Sequence, residues 1–335
     1  MSKTASFGDL VQPFRIEALG LRGQLVRLGP ALEAILGPHG YPVRVAGMVA
    51  ETLALAAVLA NALRFDGIFT LQAQGDGPLG MVVADVTNKG DMRSYARFDA
   101  ERIDAARGGA GGAVPGLLGA GHLSFTVDQG PDGERYQGIC ALEGASLADC
   151  AHHYFRQSGE LETAIMLANT VAGGTNGAGG RAGNGGGGNG ADLPSPKRSS
   201  GFAQAGGARA AALMIQRLAS ADGADGDEAP ADEDWRRAVI LMSSATAGEL
   251  LDPAVTPDQL LYRLFHEDGV RVFRTRPLRH ACRCSRDKVA TTLRAFPQAE
   301  IEAMAEDGAV TVTCEFCKAD YRFDEAALGA LYAAG

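Results

Sequence analysis

Two closely spaced cysteine pairs near the C-terminus constrain this chain more than any other feature: Cys282-Arg283-Cys284 and Cys314-Glu315-Phe316-Cys317, separated by residues 285–313. Zinc prefers four tetrahedral ligands, and two short cysteine pairs brought together supply four thiolates, each at about 2.3 Å from the metal. The second pair has the spacing of a common half-site. The first, with one intervening residue, is tighter than the usual zinc-finger pair. His280 could in principle replace one thiolate, but four cysteines already complete the shell, so it reads as a neighbour of the site or a solvated side chain. The expected metal ligands are therefore Cys282, Cys284, Cys314 and Cys317, holding one Zn2+ per chain.

Residues two apart in an extended chain lie about 6.6 to 7.2 Å apart, at or beyond the ordinary disulfide range. A bridge within a C-x-C pair is therefore strained, and strained disulfides are the labile, regulatory ones. Metal binding to a small domain is folding energy, on the order of 10 to 16 kcal/mol in peptides. Oxidising the thiolates would withdraw that support, so oxidation becomes an unfolding signal. Six arginines surround the first pair: Arg271, Arg274, Arg276, Arg279, Arg283 and Arg286. Two readings of them stay open. Their charge could favour thiolate over thiol, or they form a solvated basic strand or a patch paired with acids such as Asp234, Glu249 and Glu267.

A chain of 335 residues, 46% apolar and 21% charged, is long enough for two or three globular domains. Its net charge of −9 repels phosphate backbones and anionic membranes as bulk partners. Residues 1–12 lack an apolar signal-peptide core, which makes the cytoplasm the expected compartment. The longest apolar run, Val45 to Ala60, is interrupted by Glu51 and falls short of the ~18 to 20 residues of a span; it reads as a buried helix. Cys140 and Cys150 lie among apolar neighbours and read as small buried hydrophobes without a role.

Periodicity and turn residues predict an α+β chain. Extended segments over Phe14–Leu28 lead to a short helix opened by Pro30 and a longer one from Val43 to Leu63. Strands follow at Ile68–Ala73, Met81–Val86, Met92–Phe98, Leu123–Val127 and Tyr136–Leu142, suggesting one antiparallel sheet. A helix capped by Ser146 runs to about Gln157, after which Ala164–Val171 and Arg209–Leu218 are expected to resume that sheet. Between them, Gly173–Gly207 is a glycine-rich surface insertion unable to offset its ordering entropy. An acidic stretch, Ser220–Asp234, marks a boundary. Helices are expected at Trp235–Leu251 and Pro257–Glu267, a strand at Val270–Phe273, helices at Ser285–Phe296 and Pro297–Glu306, and a hairpin at Val310–Phe323 with the second cysteine pair at its turn.

These residues resemble a known family, the redox-regulated thirty-three-kilodalton heat-shock proteins of bacteria, along almost the whole chain. The resemblance is carried by Arg22-Gly23, Phe65-Asp66-Gly67, Gln74-Gly75-Asp76-Gly77-Pro78, Gly133-Glu134-Arg135-Tyr136-Gln137-Gly138, Tyr154-Phe155 with Ser158, Cys282-Arg283-Cys284-Ser285 and Cys314-Glu315-Phe316-Cys317. Ala210-Ala211-Ala212 departs from it where a glycine pair is usual, which concerns a local turn. The resemblance implies an N-terminal client-binding and dimerising α/β domain with a mainly antiparallel sheet (1–222), a metastable helical linker (223–280) and a small C-terminal four-cysteine zinc domain (281–335). It further implies a non-enzymatic, ATP-independent holdase, inactive when reduced and zinc-bound. Oxidation would form Cys282–Cys284 and Cys314–Cys317 disulfides, release zinc and unfold the sensor and linker. The implied partners are unfolded client proteins, the seventy-kilodalton heat-shock system and a second copy of the chain, with no nucleic acid and no membrane.

Two other readings compete. A zinc-ribbon nucleic-acid binder would use the arginines but meets the acidic total and lacks interleaved aromatics. A thiol-disulfide oxidoreductase on Cys314 and Cys317 would need a helix N-terminus to activate the first thiol, whereas the flanking Val310-Thr311-Val312 and Tyr321-Arg322-Phe323 read as strands.

Overall fold

In a computed structural model, the chain is described over residues 7–105, 112–130, 133–158, 161–171, 207–217 and 232–333. The glycine-rich insertion expected at 173–207, apart from Gly207, and the acidic stretch at 220–231 lie outside the described residues. The chain opens with an antiparallel pair, β1 (Leu10–Ile16) and β2 (Leu21–Leu28). Pro30 begins α1 (Pro30–Leu36), whose first N–H groups are met by Asp9, accepting from Gly29 N at 2.7 Å and Ala31 N at 2.9 Å. Next come α2 (Val43–Ala62), the meander β3 (Ile68–Gly75), β4 (Leu79–Thr87) and β5 (Asp91–Phe98), then α3 (Ala100–Ala105), β6 (Gly121–Asp128) and β7 (Arg135–Ala141). Helix α4 (Leu147–Ser158) starts where Ser146 and Asp149 cap one another, Asp149 N donating to Ser146 Oγ at 3.2 Å and Ser146 N to Asp149 Oδ2 at 2.9 Å.

Strands β8 (Thr163–Thr170) and β9 (Arg209–Arg217) precede three helices, α5 (Asp232–Ser243), α6 (Ala247–Leu251) and α7 (Pro257–Phe265). Three acids, Asp232, Glu233 and Asp234, open α5, where the helix dipole favours negative charge. Capping boxes start the other two, Thr246 with Glu249 and Thr256 with Gln259. Short strands β10 (Val270–Val272), β11 (Arg276–Pro277) and β12 (Arg279–His280) lead into α8 (Arg286–Arg294), α9 (Gln298–Glu302), the hairpin β13 (Ala309–Thr313) and β14 (Asp320–Asp324), and α10 (Glu325–Ala333).

The strands divide between two six-stranded sheets and a C-terminal hairpin, not the single sheet the segment order suggested. One sheet runs β10-β1-β2-β9-β8, with β11 also on β1; the other runs β12-β5-β4-β3-β6-β7. Thus β8 and β9 join the first hairpin instead of resuming the meander. Ala210, Ala211 and Ala212, expected near a turn, are fully buried inside β9. Between the sheets lies α2, apolar all round because it packs against strands of both. By length and composition it could cross a membrane, but 89% of its apolar window is buried inside the protein.

Three apolar cores result. The first surrounds α2. The second lies on the outer face of the β1-β2-β9-β8 sheet, where Phe14, Leu21, Leu25 and Leu213 meet Ala238, Met242, Leu250, Leu260, Leu261 and Phe265 from α5 to α7. The third is small: Leu293, Ile301, Val310, Phe323, Leu328 and Leu331. Residues 270–281 stitch the second region to the sheets, since Phe273 N donates to Pro13 O, Leu278 N to Asp9 O, Arg279 N to Gly90 O and Ala281 N to Met92 O. Gly90 permits this approach: its φ is +84°, and a Cβ there would stand 2.3 Å from the Pro277 carbonyl oxygen.

Candidate metal centre

The four cysteines come together from two loops. Cys282 and Cys284 follow β12, which lies parallel to the edge of β5, and Ser285 ends that loop by capping α8, its Oγ accepting from Lys288 N at 3.3 Å. Cys314 and Cys317 occupy the turn between β13 and β14, closed by Cys314 N donating to Ala319 O at 2.9 Å and Lys318 N to Cys314 O at 2.8 Å. Lys318 sits in the left-handed region at φ 57°. A side-chain-bearing residue held there implies a turn that its surroundings enforce.

All four Sγ atoms lie within 4.8 Å of one another. Cys282 Sγ is 3.7 Å from Cys314 Sγ and Cys284 Sγ is 3.4 Å from Cys317 Sγ. A tetrahedral metal with ~2.3 Å bonds to sulfur places its ligands ~3.8 Å apart, so the spacing suits one shared ion. It is far longer than the ~2.05 Å of a disulfide. His280 does not belong to the group; it lies on β12, and burial pushes its pKa down. Tyr321, absent from the sequence reading as a site residue, donates its hydroxyl to Cys284 Sγ at 3.0 Å. Its only sequence signal is an aromatic four residues beyond Cys317 on the returning strand.

The charge state of the quartet also calls for a cation. Burial raises the Cys282 thiol, yet hydrogen bonds from the Cys284 N–H and from the thiols of Cys284, Cys317 and Cys314 outweigh it and bring the pKa down to about 7. Cys317 is pushed up to about 12 by burial and by donation to its neighbours, against the pull of the Ala319 backbone. Cys284 is raised by burial first, with Tyr321 opposing. Without a cation, Cys282 is thus the readiest of these to ionise, while Cys284 and Cys317 are held up. Four thiolates can share this space only around a positive ion.

The loops carrying the sulfurs are fastened to the β4-β5 face. Asp85, 4% exposed, accepts from Arg283 at 2.5 Å and Arg93 at 2.8 Å on one oxygen and from Thr70 at 2.6 Å on the other. The Arg93 guanidinium lies 3.7 Å from the ring centroid of Phe316, which meets Tyr95 edge to face at 4.8 Å. His39 Nε2 contacts the Phe316 carbonyl at 3.0 Å. Arg283 and Phe316 lie between the paired cysteines, so the cysteine turns and the docking contacts are the same pieces of chain.

Of the remaining arginines, Arg271 pairs with Glu17 at 3.4 Å, Arg279 with Asp91 at 2.5 Å, and Arg286 donates to Arg322 O at 2.7 Å. The alternative in which Asp234, Glu249 and Glu267 pair with the cluster is not what the structure has: Glu249 pairs with Arg263 and Glu267 with Arg237, and among the described residues Asp234 pairs with none of the six. Cys140 and Cys150 are buried, and burial pushes their thiols up to about 11 and about 12, which keeps them protonated.

Comparison with known proteins places this arrangement in context. A family model described as Hsp33 protein matches residues 9–182 and 196–324. The 33 kDa chaperonin of Caulobacter vibrioides is 39% identical over 325 residues, 96% of each chain. That of Ectopseudomonas mendocina is 32% identical over 327 residues, 97% of this chain and 95% of its own. Among solved structures, the crystal structure of the 33 kDa chaperonin from Thermotoga maritima matches with a TM-score of 0.74 over 97% of this chain and 98% of its own, at 19% identity, a likeness of fold.

Proposed function

The chain belongs to the Hsp33 chaperone family, and on that premise we propose that it is a redox-regulated, ATP-independent holdase rather than an enzyme. Cys282, Cys284, Cys314 and Cys317 hold one Zn2+ in the reduced state. The metal, when bound, supplies the charge that lets four thiolates occupy one site. The observation that carries the reading is the double use of the cysteine loops: they hold the sulfurs together and, through Arg283 and Phe316, clamp the C-terminal region onto Asp85, Arg93 and Tyr95.

Oxidation joins Cys282 to Cys284 and Cys314 to Cys317. Each cysteine pair, in forming its S–S bond, gives two electrons to one hydrogen peroxide molecule, whose O–O bond breaks and which, with two protons from the thiols or solvent, leaves as two waters. The sulfurs then no longer ligate, the metal departs, and residues 281–335, with their small core, lose their main support. Residues 223–280 act as the metastable linker. Their release uncovers the apolar outer face of the β1-β2-β9-β8 sheet, which belongs to an N-terminal domain of residues 1–222 and binds unfolding clients. In this reading the activated protein is a homodimer in the cytoplasm and passes its clients to the seventy-kilodalton heat-shock system.

The test treats the reduced, zinc-loaded full chain with peroxide at mildly elevated temperature. We expect one zinc released per chain, four thiols lost, and suppression of aggregation of a heat-denatured client. Zinc release without gain of that activity would sink the proposal.

A further inference from the structure

Beside the last turn of α2 is a surface cleft of about 240 Å³, lined by Asn61, Arg64 and Phe65 at the helix end, Thr87 and Asn88 from the β4-β5 turn, and Arg276 from β11. We propose that this cleft is a binding site for a small multivalent phosphate oxyanion, of the size of orthophosphate or diphosphate, held between Arg64 and Arg276.

Three observations converge on that ligand. Neither guanidinium has an ion pair or hydrogen bond among the described residues, although most other arginines near the metal loops are engaged. Part of the ordinary structural task for arginines here, satisfying the C-terminal carbonyls of α2, is taken at Ala60 and Asn61 by other donors. Leu63 N donates to Ala60 O, Gln24 Nε2 to Asn61 O and Asn61 Nδ2 to Ala57 O. Finally, positive charge accumulates at this place in a chain whose net charge is −9. Arg22 is close enough to Arg64 to feel its charge, which adds to burial in pushing the Arg22 pKa down, and Lys89 is exposed in the neighbouring turn. The carboxylate at the rim, Asp66, accepts from Asn88 Nδ2 at 2.6 Å.

The residue types select the ligand. Planar guanidinium groups match the oxygens of phosphate, and charge-assisted pairs are the strong ones. At about 240 Å³ the cleft is smaller than the ~300 to 1,000 Å³ typical of sites for drug-sized molecules, which favours a compact anion over a nucleotide. Arg64 belongs to the α2 end and Arg276 to the strand that leads to the cysteines, so an anion bridging them ties those parts together and stabilises their docked arrangement.

Isothermal titration of the reduced, zinc-loaded full chain with sodium pyrophosphate and with orthophosphate tests this. Chloride at matched ionic strength is the reference. We expect saturable one-to-one binding, tighter for pyrophosphate, weakened about tenfold by Arg64→Ala or Arg276→Ala, the loss of one charged hydrogen-bonding partner, and partly retained in Arg64→Lys. Both side chains lie at the surface, so circular dichroism should show unchanged folding. Heats equal to chloride, or binding that survives in the Arg64→Ala/Arg276→Ala double variant, would overturn the proposal.

Discussion

Glu51 lies in the middle of the apolar helix α2 with 4% of its surface exposed, opposite Asn169 of β8 at 2%. Asn169 Nδ2 donates to Glu51 Oε1 at 3.0 Å, and Glu51 Oε2 and Asn169 Oδ1 are both buried without a partner. A proton on Oε2 supplies the one donor the pair lacks. Burial accordingly pushes the carboxyl up to about 7, with the Asn169 hydrogen bond opposing and the charge of Asp149 adding to the rise. The folded state therefore keeps a proton that the unfolded chain releases near pH 4.5. Its contribution to stability is complete below pH 4.5 and is lost as pH rises to about 7, a change of about 3 kcal/mol. Glu51→Gln carries the missing donor permanently. Its urea midpoint should exceed that of the natural chain at pH 7.5, and the difference should shrink or reverse at pH 5; a gap independent of pH would refute the titration. From sequence alone Glu51 was only an interruption in an apolar run, because Asn169 is 118 residues away and nothing local announces it.

Among the elements, the helical character of α5 to α7 was legible, but not the break between the first two: the single helix expected over Trp235–Leu251 divides, because α5 ends at Ser243 and Thr246 caps a separate α6, while α7 starts at Pro257 as expected. Sheet membership was not legible either. Besides β8, β9 pairs with β2, with Leu25 opposite Leu213, and such pairing is decided by long-range burial that a strand's own residues do not encode. The same burial explains how α5 to α7 are held. Phe265 is fully buried and stacks on Phe14 with ring centroids 5.8 Å apart, and Arg27 of β2, 3% exposed, donates to the carbonyls of Glu249, Asp252 and Val255. Phe265→Ala should cost ~3 to 5 kcal/mol at this contact while leaving the cysteines untouched. The reduced variant, still metal-loaded, should suppress client aggregation without oxidant and exchange amide hydrogens faster over residues 232–268. A destabilised variant that stays inactive when reduced would mean that these helices do not cover the working surface.

At the scale of the molecule, the sequence disclosed the grouping of four cysteines but not where the group docks. The acid that receives Arg283 is Asp85, 198 residues away, and the nearer acids are taken by Arg263 and Arg237. The docking path orders how the protein comes apart. The third core has six principal buried side chains, too few to hold about 50 residues folded without a metal. The backbone bonds from Ala281 back to Phe273 then form a zipper along β5 and β1, whose far end is α7. Cys314→Ser should therefore lose its metal and its amide protection first over 281–333, then over 270–280, while both sheets stay protected. Arg283→Ala isolates the coupling: it removes one charge-assisted bond to a buried carboxylate, worth about 1.5 to 3 kcal/mol, yet leaves every sulfur in place. It should bind metal stoichiometrically and still release it at lower peroxide or lower temperature than the natural chain. Equal thresholds in the two proteins would show that metal release and undocking are separate events, and that the shared loops do not link them.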